Sequence, residues 1–202
     1  MKKSKEIKKE KDKETRLLEN AFTLFTEKGI KDTSIQEIVD KANVAKGTFY
    51  LYFKDKYEIR DILIAKKSEK LFREALEELR KNYITNLADQ VIFIINHVIN
   101  ELAKAPALLK FISKNLSWGI YHNTILKIYE EKEEKEDSIY TLFLKGAKDS
   151  NLNLKNPEVT LYMIIELVSS TCFNSIINKE PLPIEEYKPY LYEAIRKIMN
   201  GE

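Results

Sequence analysis

Apolar residues recur along this chain at three- and four-residue intervals rather than at every second position, a pattern that predicts helices throughout. Leu17, Leu18, Ala21, Phe22, Leu24 and Phe25 form one stripe between Glu14 and Lys28, closed by Gly29 where a left-handed residue ends a helix. A second helix is predicted to open with Thr33. Gln36, three residues on, would complete a capping box ahead of Ile35, Ile38, Val39 and Ala42. Asn43 and Val44 leave room only for a tight turn before a third helix, Lys46 to Phe53. A fourth, from Lys56 to about Lys81, turns Ile59, Ile62, Leu63, Leu71, Leu76 and Leu79 inward.

The later elements are longer and greasier. Leu87 to Ala103 is apolar on nearly all sides and reads as the central helix of a second domain, and Pro106 starts a short element to about Leu116. Trp118 to Tyr121 lead into a long helix ending near Asp149. Its middle, Glu130 to Asp137, has no apolar side chain and reads as a solvent face or a protruding bend, not a metal site. Asn156 and Pro157 open a helix to about Asn178. The last runs from Pro183 to Met199, with Pro189 kinking it or marking its true start.

Within this series the stretch Val44 to Lys56 carries the candidate chemistry. Phe49 and Phe53, four apart, share one face and must anchor a helix too short to persist on propensity alone. Lys46 and Tyr50 share another, beside the bare backbone of Gly47, and these suit phosphates and base edges. Two short helices across a brief turn, packed on a longer first helix, make a helix-turn-helix. Charge follows the same division. Seventeen Lys and Arg stand against twelve Asp and Glu through Lys67, a balance of +5, while the remainder carries seventeen against twenty, or −3. The basic third points to a polyanion partner.

Composition narrows the class further. With 44% hydrophobic and 33% charged residues but only five Gly and five Pro in 202 positions, the chain reads as all-α, of about nine helices. Residues 1–13 alternate Lys with Glu and form an arm or a frayed helical extension, a solvated end or a tail that touches DNA. Residues 14–55 form the helix-turn-helix domain and 56–202 a helical second domain. The single Cys172 cannot form an intramolecular disulfide, no Cys/His cluster has metal-ligand spacing, and no cofactor motif is present. No apolar run approaches the roughly 20 residues of a membrane span, Val91 to Ile95 being the best, so the expectation is a soluble, cytoplasmic chain.

The residues Thr33-Ser34-Ile35 with Glu37-Ile38, then Ala42 through Tyr50, then Tyr52-Phe53-Lys54-Asp55-Lys56, closely resemble the DNA-binding domain of the TetR/AcrR family of transcriptional regulators. The match is dense over 14–63; beyond it only length and helix pattern agree. The resemblance implies that Thr33 and Ser34 meet phosphate, that Lys46, Gly47, Thr48 and Tyr50 face the major groove, and that Tyr52 and Lys56 lie on the flanking backbone. Ala45 departs from the Ser of many relatives and removes a favoured N-cap; Tyr57 stands where an acid is common, though Asp55 and Glu58 still make a capping box.

The resemblance also implies a homodimer through the last two helices, whose paired reading helices, about 34 Å or a multiple apart, demand a roughly palindromic double-stranded operator. It implies a pocket for a small-molecule effector among the fourth to eighth helices, whose occupancy shifts the fourth helix and spreads the reading heads. The candidate lining residues are Phe93, His97, Phe111, Trp118, Tyr121, His122, Met163 and Glu166. Two other readings stay open: a constitutive DNA-binding protein without an effector, and a small helical enzyme. The latter has little to work with, since the chain offers two His, one Cys and neither a phosphate-cradling glycine motif nor a nucleophile elbow.

Overall fold

The computed structural model describes residues 2–113, 138–150, 152 and 154–200, with side chains from residue 12 onward. Among them are nine helices and no strand: α1 Lys2–Lys28, α2 Ile35–Ala42, α3 Lys46–Tyr52, α4 Lys56–Leu79, α5 Leu87–Lys104, α6 Pro106–Ile112, α7 Ile139–Asp149, α8 Pro157–Ile177 and α9 Ile184–Asn200. The chain divides into two compact units, residues 1–64 and 65–202, and α4 contributes to both. Residues 2–13, read as an arm or a helical extension, are the opening turns of α1.

In the first unit Leu17, Leu18, Ala21 and Phe25 of α1 are buried with Ile38, Val39 and Ala42 of α2, Phe49 and Phe53 around α3, and Ile59 and Leu63 of α4. Gly29, at φ +89°, and Asn43, at φ 52°, end α1 and α2 in the left-handed conformation, as their residue types favour. Arg16 Nη1 donates to the Ala42 carbonyl at 3.2 Å, tying α1 to an orphan acceptor at the end of α2.

The capping box of α2 lies one residue later than the pattern indicated. Ser34, not Thr33, is the N-cap, and Glu37, not Gln36, reaches back to it. Thr33 is drawn the other way, its hydroxyl donating to the Gly29 carbonyl at 2.7 Å. Ala45 caps α3 without a side-chain hydrogen bond. For α4, Asp55 Oδ1 accepts from the amides of Tyr57 and Glu58 at 2.8 and 2.9 Å, while Glu58 accepts from the Lys54 amide.

In the second unit α5 is the central element, with nine buried residues and neighbours in α6, α7, α8 and α9. A polar seam runs beside this apolar contact. Asn96 Oδ1 accepts from the Tyr192 hydroxyl at 2.8 Å, Asn100 Oδ1 from the Lys188 ammonium at 2.6 Å, and Asp89 pairs with Arg196 at 2.6 Å. Residue numbers rise on α5 as they fall on α9, so the two helices are antiparallel and held in one register. Pro189 sits inside α9, which begins at Ile184.

Three expectations change here. No single helix leads from Trp118 to Asp149: α7 starts at Ile139, where Ser138 is extended and forms a capping box with Thr141. The acidic run Glu130 to Asp137 lies outside the described residues, and α6 stops at Ile112. Among the described residues α8 is long and apolar enough to match a membrane span by length and composition, contrary to the expectation that no stretch would be. Its Glu158 and Glu166 interrupt the run without offsetting the average. One side of α8, with Leu161, Ile164, Ile165, Val168 and Cys172, belongs to the core of the second unit.

Candidate nucleic-acid interface

The first unit presents α3 as a two-sided object. Phe49 and Phe53 are 0% and 3% exposed, their ring centroids 5.7 Å apart, so the short helix is held from behind by aromatic packing. Lys46, Gly47 and Tyr50 lie on the exposed side, and Thr48 and Tyr52 are half-buried at its flanks. Tyr50 stands edge-on to Phe49 at 5.3 Å and is 53% exposed. A Cβ built on Gly47 would meet nothing within 4 Å, and the backbone there is not left-handed. Neither the space around this glycine nor its conformation requires glycine within the chain.

The remaining expected contacts divide. Ser34 is exposed, its hydroxyl donating to Glu37 Oε2 at 2.8 Å and accepting from the Glu37 amide at 3.2 Å. Thr33 is 1% exposed with its hydroxyl spent on Gly29, so its side chain is not presented to phosphate as expected. The Lys56 ammonium donates to the carbonyls of Lys31 and Thr33 at 2.9 and 2.8 Å. It therefore neutralises the acceptors of the α1–α2 turn as well as adding charge near the N-terminus of α4.

Two exposed residues were not among the expected contacts: Leu51, 81% exposed, and Tyr57, 46% exposed with its ring 5.6 Å from the Lys56 ammonium and 5.4 Å from the Arg60 guanidinium. Leu51 follows Gly47 by four residues, the spacing that places the two on one helical face.

Around α2 the electrostatics favour a fixed turn. Glu37 hydrogen-bonds the Lys28 ammonium as well as Ser34, and these donors hold its carboxyl at about 2, Lys28 contributing most. Lys41 pairs with Glu27 at 3.6 Å.

Five of the expected effector residues lie among the described ones. Phe93 and Phe111 are half-buried against the second core; His97 and Glu166 are half-buried; Met163, expected inside, is 52% exposed because α8 is apolar all round and its periodicity does not select an inner side. Trp118, Tyr121 and His122 lie outside the described residues. Of the five described candidates, none lines either of two cavities in this unit. One is an apolar void of about 10 Å³ between α5, α6 and α8, touched by Val98, Leu109, Val168 and Cys172. The other is an open cleft of about 600 Å³ bounded by Asn86, Leu87, Ser150 and Arg196. Burial pushes the Cys172 thiol up to about 12, which leaves it a packing residue and no nucleophile.

A helix clamped by its aromatic back, with cation, phenol and bare backbone forward, defines a helix-turn-helix DNA-binding head. The comparisons give that class a family. Residues 17–61 match the model of bacterial regulatory proteins of the tetR family. The chain is 22% identical to the uncharacterized HTH-type transcriptional regulator YerO of Bacillus subtilis (strain 168), over 93% of this chain and 76% of that protein. It is 25% identical to an HTH-type transcriptional regulator of Staphylococcus aureus (strain USA300), over 90% and 91%. Among solved structures it shares its fold with a putative TetR-family regulator from Syntrophomonas wolfei (TM-score 0.67, 18% identity, 94% and 95% covered). It shares it also with the regulator FadR from Bacillus subtilis in complex with stearoyl-CoA (TM-score 0.64, 19% identity, 93% and 98% covered). Residues 17–61 thus carry the pattern of tetR-family regulatory proteins, and the chain as a whole is similar to HTH-type transcriptional regulators and shares the fold of TetR-family structures.

Proposed function

We propose that this protein is a homodimeric, ligand-responsive repressor that binds a roughly palindromic operator and is released by a small apolar or amphipathic compound. The observation that carries the reading is the outward face of α3, Lys46, Gly47 and Tyr50, backed by two buried phenylalanines. On it, Lys46, Gly47, Thr48 and Tyr50 enter the major groove, and Ser34, Tyr52 and Lys56 serve the flanking backbone. Dimerisation is supported by exposed apolar side chains on the last two helices, Val159, Tyr162 and Met163 of α8 and Tyr190 of α9.

Effector responsiveness is supported by the apolar second core and by likeness to a FadR structure that holds stearoyl-CoA. The apolar void of about 10 Å³ has room for about one water, so an effector that lodged there would open the contact between α5, α6 and α8 as it entered. Binding that requires such opening is coupled to conformation by necessity. An acyl thioester, or another compound with a long apolar chain, is the class that would gain most from lining of this kind.

The test is a gel-shift titration on fragments selected from the source genome. Tyr50→Ala is expected to lower operator affinity at least about tenfold, within the range of one lost base contact, while the oligomeric state is unchanged. Equal affinity of the variant and the unmodified chain would remove α3 from the interface.

A further inference from the structure

We propose that Leu51 is a specificity-determining residue whose side chain receives the C5-methyl group of a thymine in the operator's major groove. The inference rests on the DNA-binding reading above and adds to it a base preference that no polar residue on α3 supplies.

Singly exposed hydrophobic residues are ordinary, so 81% exposure alone decides nothing. Position decides. Gly47, Tyr50 and Leu51 follow one another at i, i+3 and i+4 within α3, and all three are exposed, opposite the buried Phe49. Leu51 therefore shares the face already assigned to DNA. Its i−4 neighbour on that face is Gly47, where the space a Cβ would take is open to 4 Å. Leucine beside a missing side chain leaves a shallow apolar hollow between two helical turns.

The chemistry of that hollow selects its occupant. Leucine has no donor or acceptor, whereas the other large hydrophobic residues exposed on the described part of the first unit, Tyr50 and Tyr57, carry hydroxyls. Of the groups that base pairs display in the major groove, the N7, O6 and O4 acceptors and the amino donors are polar, and the thymine methyl is the one alkyl group. A leucine on the reading face desolvates every polar edge at a loss and the methyl at a gain. It thus acts by penalty as much as by attraction.

The experiment removes the methyl and nothing else. An operator isolated by selection is resynthesised with deoxyuridine replacing thymine at one pair of symmetry-related positions at a time, and affinities are read by fluorescence anisotropy. For the unmodified chain, one such position is expected to weaken binding about fourfold per half-site, the transfer value of a single methyl group. Leu51→Ala is expected to bind the thymine and deoxyuridine operators alike, Leu51→Met to keep the discrimination, and Tyr50→Ala to keep it at lower overall affinity. The proposal is overturned if Leu51→Ala discriminates as the unmodified chain does, or if no thymine position responds in an operator that is bound. Failure of the unmodified chain to bind any selected DNA would instead strike down the regulator reading on which this one stands.

Discussion

Gly47 is the residue whose identity the isolated chain leaves unexplained. It sits inside a helix, where glycine is about 1 kcal/mol less favourable than alanine, and neither a close neighbour nor a left-handed φ compensates. Gly47→Ala is therefore expected to raise the thermal midpoint slightly, or leave it unchanged, while weakening operator binding at least about tenfold if the backbone approaches the duplex at the distance the groove allows. Differential scanning calorimetry beside anisotropy separates the two effects, and a variant that binds normally would show the glycine to be incidental. Thr33 illustrates the opposite case. Thr33-Ser34 followed by Gln36-Glu37 admits two capping boxes in adjacent registers, and local pattern cannot choose between them. The choice is made by partners that are distant in sequence or bonded backwards: Lys28 reaches Glu37, and Gly29 offers its carbonyl to Thr33. The Phe49 and Phe53 clamp was legible because both its members lie within one turn.

Elements add constraints that single residues do not show. The link between α1 and α2 runs through Glu37, whose carboxyl is held at about 2 by Lys28 and by Ser34. A carboxyl lowered in the folded state stabilises fully above its ordinary value near 4.5, and that contribution fades as pH falls from there toward 2. Urea midpoints measured between pH 6 and pH 2.5 are expected to fall less steeply for Glu37→Gln than for the unmodified chain; parallel curves would show that the pair contributes nothing to acid sensitivity. The α5–α9 seam is a second constraint. Lys188 is 7% exposed and shares its ammonium between Asn100 and the exposed carboxylate of Glu185. Asn100→Leu leaves that ammonium one acceptor short in an apolar contact, a loss of about 1 to 3 kcal/mol that chemical denaturation would register. An unaltered midpoint would mean that water substitutes for the amide. Helix order and most boundaries were visible as apolar periodicity, but this seam was not, because Asn and Tyr on amphipathic helices look like solvent-facing residues until the partner helix is known.

At the scale of the molecule the outer side of α8 is both exposed and apolar. Val159, Tyr162 and Met163 at i, i+3 and i+4 form a stripe, with Tyr190 of α9 also exposed, while the opposite side of α8 is committed to the core. Sequence periodicity could not separate these sides, which is why Met163 was misplaced among the interior candidates. A twofold dimer is isologous: residues near its axis face their own copies, so a charge introduced there meets the same charge from the partner. Tyr162→Glu with Met163→Glu is expected to convert a dimer into a monomer at micromolar concentration in sedimentation velocity, with the helical circular dichroism signal retained because neither side chain is buried in the chain itself. Operator binding should then fall by about 10² to 10⁴, the advantage that linkage of two half-site readers confers, while single half-site affinity persists. A double variant that remains dimeric would move the interface away from α8, and one that unfolds would place these side chains in the core after all.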